Sequence, residues 1–237
     1  MTPTVSILMP AMNVARWIDD AIESVADQQS TDWELIVVDD FSTDNTWARA
    51  REWVDADDMR LPLFVLSAAA PLGISAALNW AASMARGRLL MFMGADDVIA
   101  PGFLGEAIMC LEREPDATVA CPPIVEFRTV AKVDDVSVWM PRFDLDRLHE
   151  ENCIPGPSVF RRELFDAVRW PADFEETGCE DWARWVLVHR AGLLKPVRIA
   201  APYYHRIREG GLSNRMAENM PAIRAKIAQL HATGAGA

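Results

Sequence analysis

Two apolar runs in this chain stop abruptly at paired acids, Val37-Val38-Asp39-Asp40 and Met91-Phe92-Met93-Gly94-Ala95-Asp96-Asp97. Buried strands of an open α/β sheet read as unbroken apolar runs, and ligands sit in the crevice beyond their carboxyl ends. Acids at two such tips suit a metal-bound diphosphate. Asp96 and Asp97 have the chemistry to bind a hard divalent cation, Mn2+ or Mg2+, that bridges to phosphate oxygens; the other reading is a solvated turn. Asp39 can accept the imide proton of a uracil or the N1 and N2 protons of a guanine, or else act as a cap for the turn from Ser42 to Asn45. Further on, Gly178-Cys179-Glu180-Asp181 precedes Trp182, Trp185 and Val186 at helical spacing. A helix start lowers a carboxylate pKa while a neighbouring acid raises it, which makes Asp181 a candidate general base. Acids in a first turn also occur as plain N-terminal charges. Trp182 and Trp185 have faces to offer a sugar, but large aromatics at helical spacing more often pack inward.

The elements that must position these residues alternate between strand and helix through the first half, as in a mostly parallel sheet with crossover helices. Strands are expected at Val5 to Met9, Leu35 to Val38, Leu63 to Leu66, Arg88 to Met93 and Thr118 to Cys121. Helices are expected at Ala15 to Gln28, Thr46 to Val54, Ile74 to Ala85 and, opened by a proline, Pro101 to Arg113. After Pro122-Pro123 the rhythm breaks, and only Val133 to Trp139 alternates before about Glu151. A helix from Glu180 to Ala191, a strand from Val197 to Ala200 and a final amphipathic helix from about Pro221 to Leu230 complete the pattern. The first strand ends in Pro10-Ala11-Met12-Asn13 without glycine, which excludes a P-loop and a dinucleotide fingerprint.

At 237 residues and 51% apolar, the chain is long enough for one substantial core. Its formal net charge of -12 argues against non-specific nucleic-acid binding, which needs clustered Lys and Arg. A phosphorylated ligand then requires metal or local arginines. No run approaches the roughly 20 apolar residues of a membrane helix, so no membrane span and a cytoplasmic location are expected. Cys110, Cys121, Cys153 and Cys179 are scattered without a CxxC pair, as reduced core thiols would be.

In order and spacing, Val5-Ser6-Ile7-Leu8-Met9-Pro10-Ala11-Met12-Asn13, Trp33 to Asp44, Gly73 to Asn79 and Gly94 to Asp97 resemble the donor half of family 2 glycosyltransferases. The likeness continues through Pro157 to Leu164, Glu180-Asp181 and His205 to Ser213. It implies the GT-A fold, a Rossmann-like α/β arrangement with a mixed, mostly parallel sheet flanked by helices. A donor half at 1–123, an acceptor and catalytic half at 124–214 and a C-terminal helix and tail at 215–237 would form one fused structural domain. The implied reaction is inverting, hexosyltransferase-like transfer from a nucleotide-diphosphate sugar, UDP-sugar first, to a hydroxyl on a saccharide, lipid-linked or small-molecule acceptor. Surface polysaccharide, glycoconjugate and natural-product pathways use such enzymes, and an oligomer is compatible with the reading.

By resemblance, Pro10, Ala11, Met12 and Asn13 would line the donor site and Asp39 would hold the base. Asp96 would bind the metal as the last acid of a DxD-like motif, Asp97 would support it or orient the sugar, and Asp181 would be the catalytic base. Arg208 would offset charge on the diphosphate. Glu180, Trp182 and Gly156 are expected on the acceptor side, and the stretch from Ile124 to Pro157, which includes Trp139, Arg142 and His149, is expected to shape that side. Gly210-Gly211 is a candidate hinge. Four positions depart from the family pattern: Met12 for Tyr, Gly94 for the first Asp of DxD, Leu78 for Arg and Arg208 for His. The last exchange moves weight from metal to a direct arginine clamp, since Arg binds diphosphate in a planar, bidentate manner. A sugar-nucleotide pyrophosphorylase would need a Gly- and Arg-rich loop after the first strand. A non-catalytic nucleotide-sugar binder is the stronger alternative, against which stands the retained Glu180-Asp181 pair.

Overall fold

The computed structural model describes residues 2–30, 32–55, 62–128, 137–174, 178–208 and 212–232. The first half alternates β1 (Val5–Ala11), α1 (Ile18–Ala26), β2 (Trp33–Asp39), α2 (Thr46–Asp55), β3 (Leu63–Ser67), α3 (Ile74–Met84) and β4 (Leu89–Phe92). It continues through β5 (Val98–Ile99), α4 (Phe103–Arg113), β6 (Val119–Cys121), β7 (Ile124–Phe127) and β8 (Ser137–Trp139). The second half contains β9 (Val159–Arg161), α5 (Glu163–Ala167), α6 (Glu180–Arg190), β10 (Pro196–Arg198), β11 (Tyr203–Arg206) and α7 (Leu212–Ala232).

The expected mostly parallel sheet is present as seven strands in the order β10-β6-β9-β4-β1-β2-β3. Every residue of β2 is buried, which is why Leu35 to Val38 read as an unbroken apolar run. Helices cover both faces. Ile18, Ala21, Ile22 and Val25 form the buried stripe of α1, while Ala77, Leu78, Ala81 and Ala82 seat α3 on the other side. Leu78 is fully enclosed, so an apolar residue suits this departure from the family pattern. The inward reading of the tryptophans also holds: Trp182 and Trp185 are 3% and 2% exposed. All four cysteines are unpaired, three of them buried, and burial pushes the thiols of Cys121 and Cys179 up to about 12.

Three features were not expected from sequence. The strand β9 runs antiparallel between β4 and β6. It is only three residues long, too short for its alternation to show. A second sheet, β5-β11-β7-β8, forms across the break at residue 123, with β11 antiparallel to β5 and parallel to β7. Both sheets therefore take strands from either side of that break, and the alternating piece expected from Val133 is described only at Ser137–Trp139. Finally, α7 starts nine residues before the expected Pro221 and carries that proline inside. Ile223 and Ile227 are fully buried, and Met216, Met220 and Leu230 pack against the same core, so one apolar stripe at helical spacing spans the proline. That packing offsets the lost hydrogen bond and steric conflict of an interior proline. The smaller differences are at element ends: β10 is Pro196–Arg198 rather than Val197 to Ala200, and α4 begins at Phe103.

Candidate active site

Parallel β1 and β4 are neighbours at the centre of the sheet, and a cleft of about 900 Å³ opens beyond their carboxyl ends. Pro10, Ala11, Met12, Asn13, Gly94, Asp96, Asp97, Gly156, Glu180, Asp181, Trp182 and Arg208 all line it. The antiparallel sense of β9 explains how the second half reaches this end of the sheet. A strand entering from the cleft side delivers its preceding loop, with Asn152 and Gly156, beside the tips of the parallel strands.

On one side, the loops after β1 and β2 are stitched together. Asn13 sits at φ 53, a left-handed conformation that Asn tolerates. Its Oδ1 accepts the Thr43 backbone N–H at 2.9 Å, and its own N–H donates to Ser42 Oγ at 3.0 Å. Met12 is 51% exposed, which leaves an apolar side chain at the cleft mouth. Asp39 does not line the cleft; it is 3% exposed, and its Oδ1 has no hydrogen-bond partner among the described residues. Its neighbour Asp40 lines the cleft and accepts N–H bonds from Leu72 at 2.6 Å and Gly73 at 3.0 Å. The two acids of the pair thus have separate jobs: Asp40 secures the entry to α3, and Asp39 keeps a buried, unsatisfied acceptor.

At the tip of β4 the second sheet clamps the acids. Tyr203 Oη donates to Asp97 Oδ2 at 2.6 Å, and the Arg206 N–H donates to Asp97 Oδ1 at 2.8 Å. Burial, together with the charge of Asp96, pushes the Asp97 pKa up to about 6. A Cβ at position 94 would run into Asp97 Oδ2, so glycine is the residue that lets this carboxylate fold back to Tyr203. Arg206, the last residue of β11, is buried. It is 6% exposed, donates from Nε to the Asp96 carbonyl at 2.7 Å, pairs with Asp20 at 3.0 Å and lies over Phe127. Arg208 donates from Nε to Asp96 Oδ2 at 2.5 Å and stacks over Trp17.

Asp181 sits half-buried in the first turn of α6 and accepts the Trp182 backbone N–H. Asn152 Nδ2 approaches its Oδ2 at 3.4 Å. Desolvation outweighs these bonds and pushes the Asp181 pKa up to about 6. That value leaves the carboxylate ionised at neutral pH yet basic enough to take a proton. Glu180 is 2% exposed at the cleft wall. Trp182, the acceptor-side candidate, lines the cleft but donates from Nε1 to the Leu148 carbonyl at 2.6 Å and packs as core, since a buried indole N–H requires an acceptor. Among the other acceptor-wall candidates, Trp139 is exposed on β8, and His149 stacks on His231 with ring centroids 4.4 Å apart. Gly210 and Gly211 lie outside the described residues.

The fit to a divalent cation is narrow. No group of three or more His, Cys, Asp or Glu ligands occurs among the described residues. Asp97 is held by Tyr203 and Arg206, which leaves Asp96 as the carboxylate able to bind metal, and Arg208 already pairs with it. One carboxylate is enough where substrate phosphates and water complete the shell, as Mg2+-type sites allow.

The profile described as Glycosyl transferase family 2 matches residues 6–169. The chain belongs to glycosyltransferase family 2. A PGL/p-HBAD biosynthesis glycosyltransferase of Mycobacterium tuberculosis is 31% identical over 183 residues, covering 76% of this chain and 67% of that protein. Among solved structures, Staphylococcus aureus TarS 1–349 superposes with a TM-score of 0.71 at 19% identity, covering 97% of this chain and 69% of that one. The mannosyltransferase PcManGT of Pyrobaculum calidifontis, in complex with GDP-Man and Mn2+, gives 0.72 at 21% identity, with 97% and 65% covered. These likenesses identify the fold as the GT-A glycosyltransferase arrangement. No described helix is long and apolar enough to cross a membrane.

Against the family pattern, sequence reasoning brought together most of the residues that share the cleft and missed Tyr203, Asn152 and the division of labour within Asp39-Asp40. The tyrosine lies in a four-residue strand between unlike neighbours, and the asparagine in an irregular loop. Only the acid pair carried a usable signal, because successive residues at a strand end point to opposite faces.

Proposed function

We propose that this family member is an inverting glycosyltransferase that moves a sugar from a nucleotide-diphosphate donor, UDP-sugar first, to an acceptor hydroxyl. The observation that carries the reading is the half-buried Asp181, whose pKa of about 6 suits a base, in the same cleft as Asp96 and Arg208. Asp39, buried next to the cleft-lining Asp40, would accept a hydrogen bond from a nucleobase N–H with its unsatisfied Oδ1. Asp181 would take the acceptor hydroxyl proton as that oxygen attacks the anomeric carbon. The bond from that carbon to the diphosphate would break in the same displacement, its electron pair leaving with the nucleotide and the configuration inverting. Arg208 would turn from Asp96 to the diphosphate oxygens and hold the departing charge in bidentate fashion. A divalent cation held by Asp96 and the diphosphate would supply further neutralisation of that charge. Asp97, fixed by Tyr203, would keep the strand tip in place.

Support for the donor class also comes from solved relatives, which include TarS in complex with UDP-GlcNAc and a Mycobacterium tuberculosis glucosyl-3-phosphoglycerate synthase with Mn2+ and UDP. A second reading, a binder without turnover, is favoured by Gly94 and the narrow metal fit. Thermal unfolding with UDP, GDP, dTDP, CDP or ADP, with and without manganese, tests the donor, and Asp181→Asn tests the base. A nucleotide at about 100 times its Kd stabilises by roughly 2.7 kcal/mol and should raise the midpoint by about 5 to 10 °C. UDP is expected to give that shift, and Asp181→Asn to keep it while losing transfer. Full transfer by Asp181→Asn would remove the base assignment; nucleotide binding without turnover by the unaltered protein, across a broad acceptor panel, would favour the binder.

A further inference from the structure

We infer that Asn152 is a positioning residue for the Asp181 carboxylate, donating from Nδ2 to hold it in the ionised form and aimed into the cleft. The inference rests on the proposed role of Asp181 as base. The loop that carries Asn152 is pinned on both sides. At its start, the Leu148 carbonyl accepts the Trp182 indole N–H at 2.6 Å, which ties the loop to the helix that bears Asp181. At its end, Ser158 Oγ donates to the Pro155 carbonyl at 2.7 Å, and the Ser158 N–H donates to the Gly156 carbonyl at 2.9 Å.

Within that loop the orientation of the Asn152 amide is set by its other end. Its Oδ1 accepts the Ile154 backbone N–H at 3.2 Å, so the nitrogen is the atom that faces Asp181 Oδ2, at 3.4 Å. A donor there favours the carboxylate over the acid and opposes the effect of burial. The contact is long in the free protein, as catalytic hydrogen bonds often are before substrate binds. Gly156 supplies the second constraint. A Cβ built on it would lie 2.7 Å from Asp181 Oδ2 and 3.3 Å from Cγ, so the loop backbone is the wall against which the carboxylate rests. Amide and bare backbone together limit where the proton-accepting oxygens can go. Of the other titratable groups that line the same cleft, Cys179 and Glu180 adjoin Asp181 in the chain, Glu151 adjoins Asn152, Asp40 follows β2, Asp96 and Asp97 follow β4, Tyr203, His205 and Arg206 lie on β11, Arg208 lies just beyond it and Arg224 lies on α7.

The decisive measurement is the titration of the Asp181 side-chain carbon by 13C NMR, assigned with Asp181→Asn, in the unaltered protein, Asn152→Ala and Asn152→Asp. Release of UDP from UDP-glucose is followed across the same pH range. Loss of one hydrogen bond to a charged group should raise the Asp181 pKa by about one unit in Asn152→Ala. The isosteric Asn152→Asp, which exchanges the donor for a second acceptor, should raise it further. The acid limb of the rate profile should move to higher pH with it, lowering turnover about fivefold near pH 6 and little at pH 8, with KM for the donor unchanged. An unmoved titration and acid limb in both variants, alongside an inactive Asp181→Asn, would overturn the positioning role and leave the proposed function standing. Full activity in Asp181→Asn would remove the base assignment, and the inference with it.

Discussion

Asp181 illustrates what a side chain costs the fold in exchange for its chemistry. Its pKa is pushed to about 6 from an ordinary 3.8, chiefly by desolvation. Between those two values the folded chain binds more protons than the unfolded one, so stability falls as pH rises through that window, and the whole penalty is present above it. Asp181→Asn removes the ionisation and should melt roughly 2 to 6 °C above the unaltered protein at pH 7.5, a gain that closes by pH 4. A melting difference independent of pH would contradict this assignment of the burial cost. Gly94 makes a second point at this scale. Restoring the family's first acid with Gly94→Asp places a Cβ against Asp97 Oδ2 and breaks the Tyr203 contact. The variant should bind UDP with manganese about tenfold more weakly by calorimetry, whereas tighter binding would show that only the missing acid limits the metal site.

Among the elements, β1 and β4 determine where the cleft opens, and their opposite ends show how closely they must approach. A Cβ at Gly87 would lie 2.6 Å from the Ser6 backbone nitrogen and 2.8 Å from the Val5 carbonyl carbon, atoms of the neighbouring strand that cannot move aside cheaply. Gly87→Ala should therefore cost about 2 to 3 kcal/mol in urea unfolding while leaving nucleotide affinity unchanged, because it sits at the amino end of the sheet, away from the cleft. Equal stability would mean the strands part without penalty. The same end holds Glu34, buried in β2, where burial pushes the pKa up but bonds from Ser6 Oγ, the Arg86 N–H and its guanidinium more than reverse that. Helices α1 and α3 and the long strands were legible because their apolar residues recur with a clear period over several turns or a continuous run. The strands β5, β7 and β9 were not. They have two to four residues each, and their pairing depends on partners far away in the chain.

Taken as a whole, the molecule closes its cleft with segments from both ends of the sequence. Helix α7 contributes Met216, Met220 and Arg224 to the cleft wall and buries Ile223 and Ile227 against the core that includes α6. Ile227→Ala, beyond Pro221, should cost about 2 to 5 kcal/mol by denaturant unfolding, a loss that would be absent if the helix after the proline were only a surface appendage. Sequence alone determined the α/β class, the two acidic strand ends and Asp181 at a helix start, because these follow from local periodicity and from residues adjacent in the chain. Tertiary structure decided how those groups are used. It turned Asp97 back to Tyr203, paired Asp96 with Arg208, left an oxygen of Asp39 unsatisfied and brought Asn152 beside Asp181. The three pairings are contacts between elements distant in sequence, and the oxygen of Asp39 is one that no such contact among the described residues reached. Such contacts are set by strand order, strand direction and competition for buried hydrogen-bond partners, none of which leaves a periodic trace in the chain.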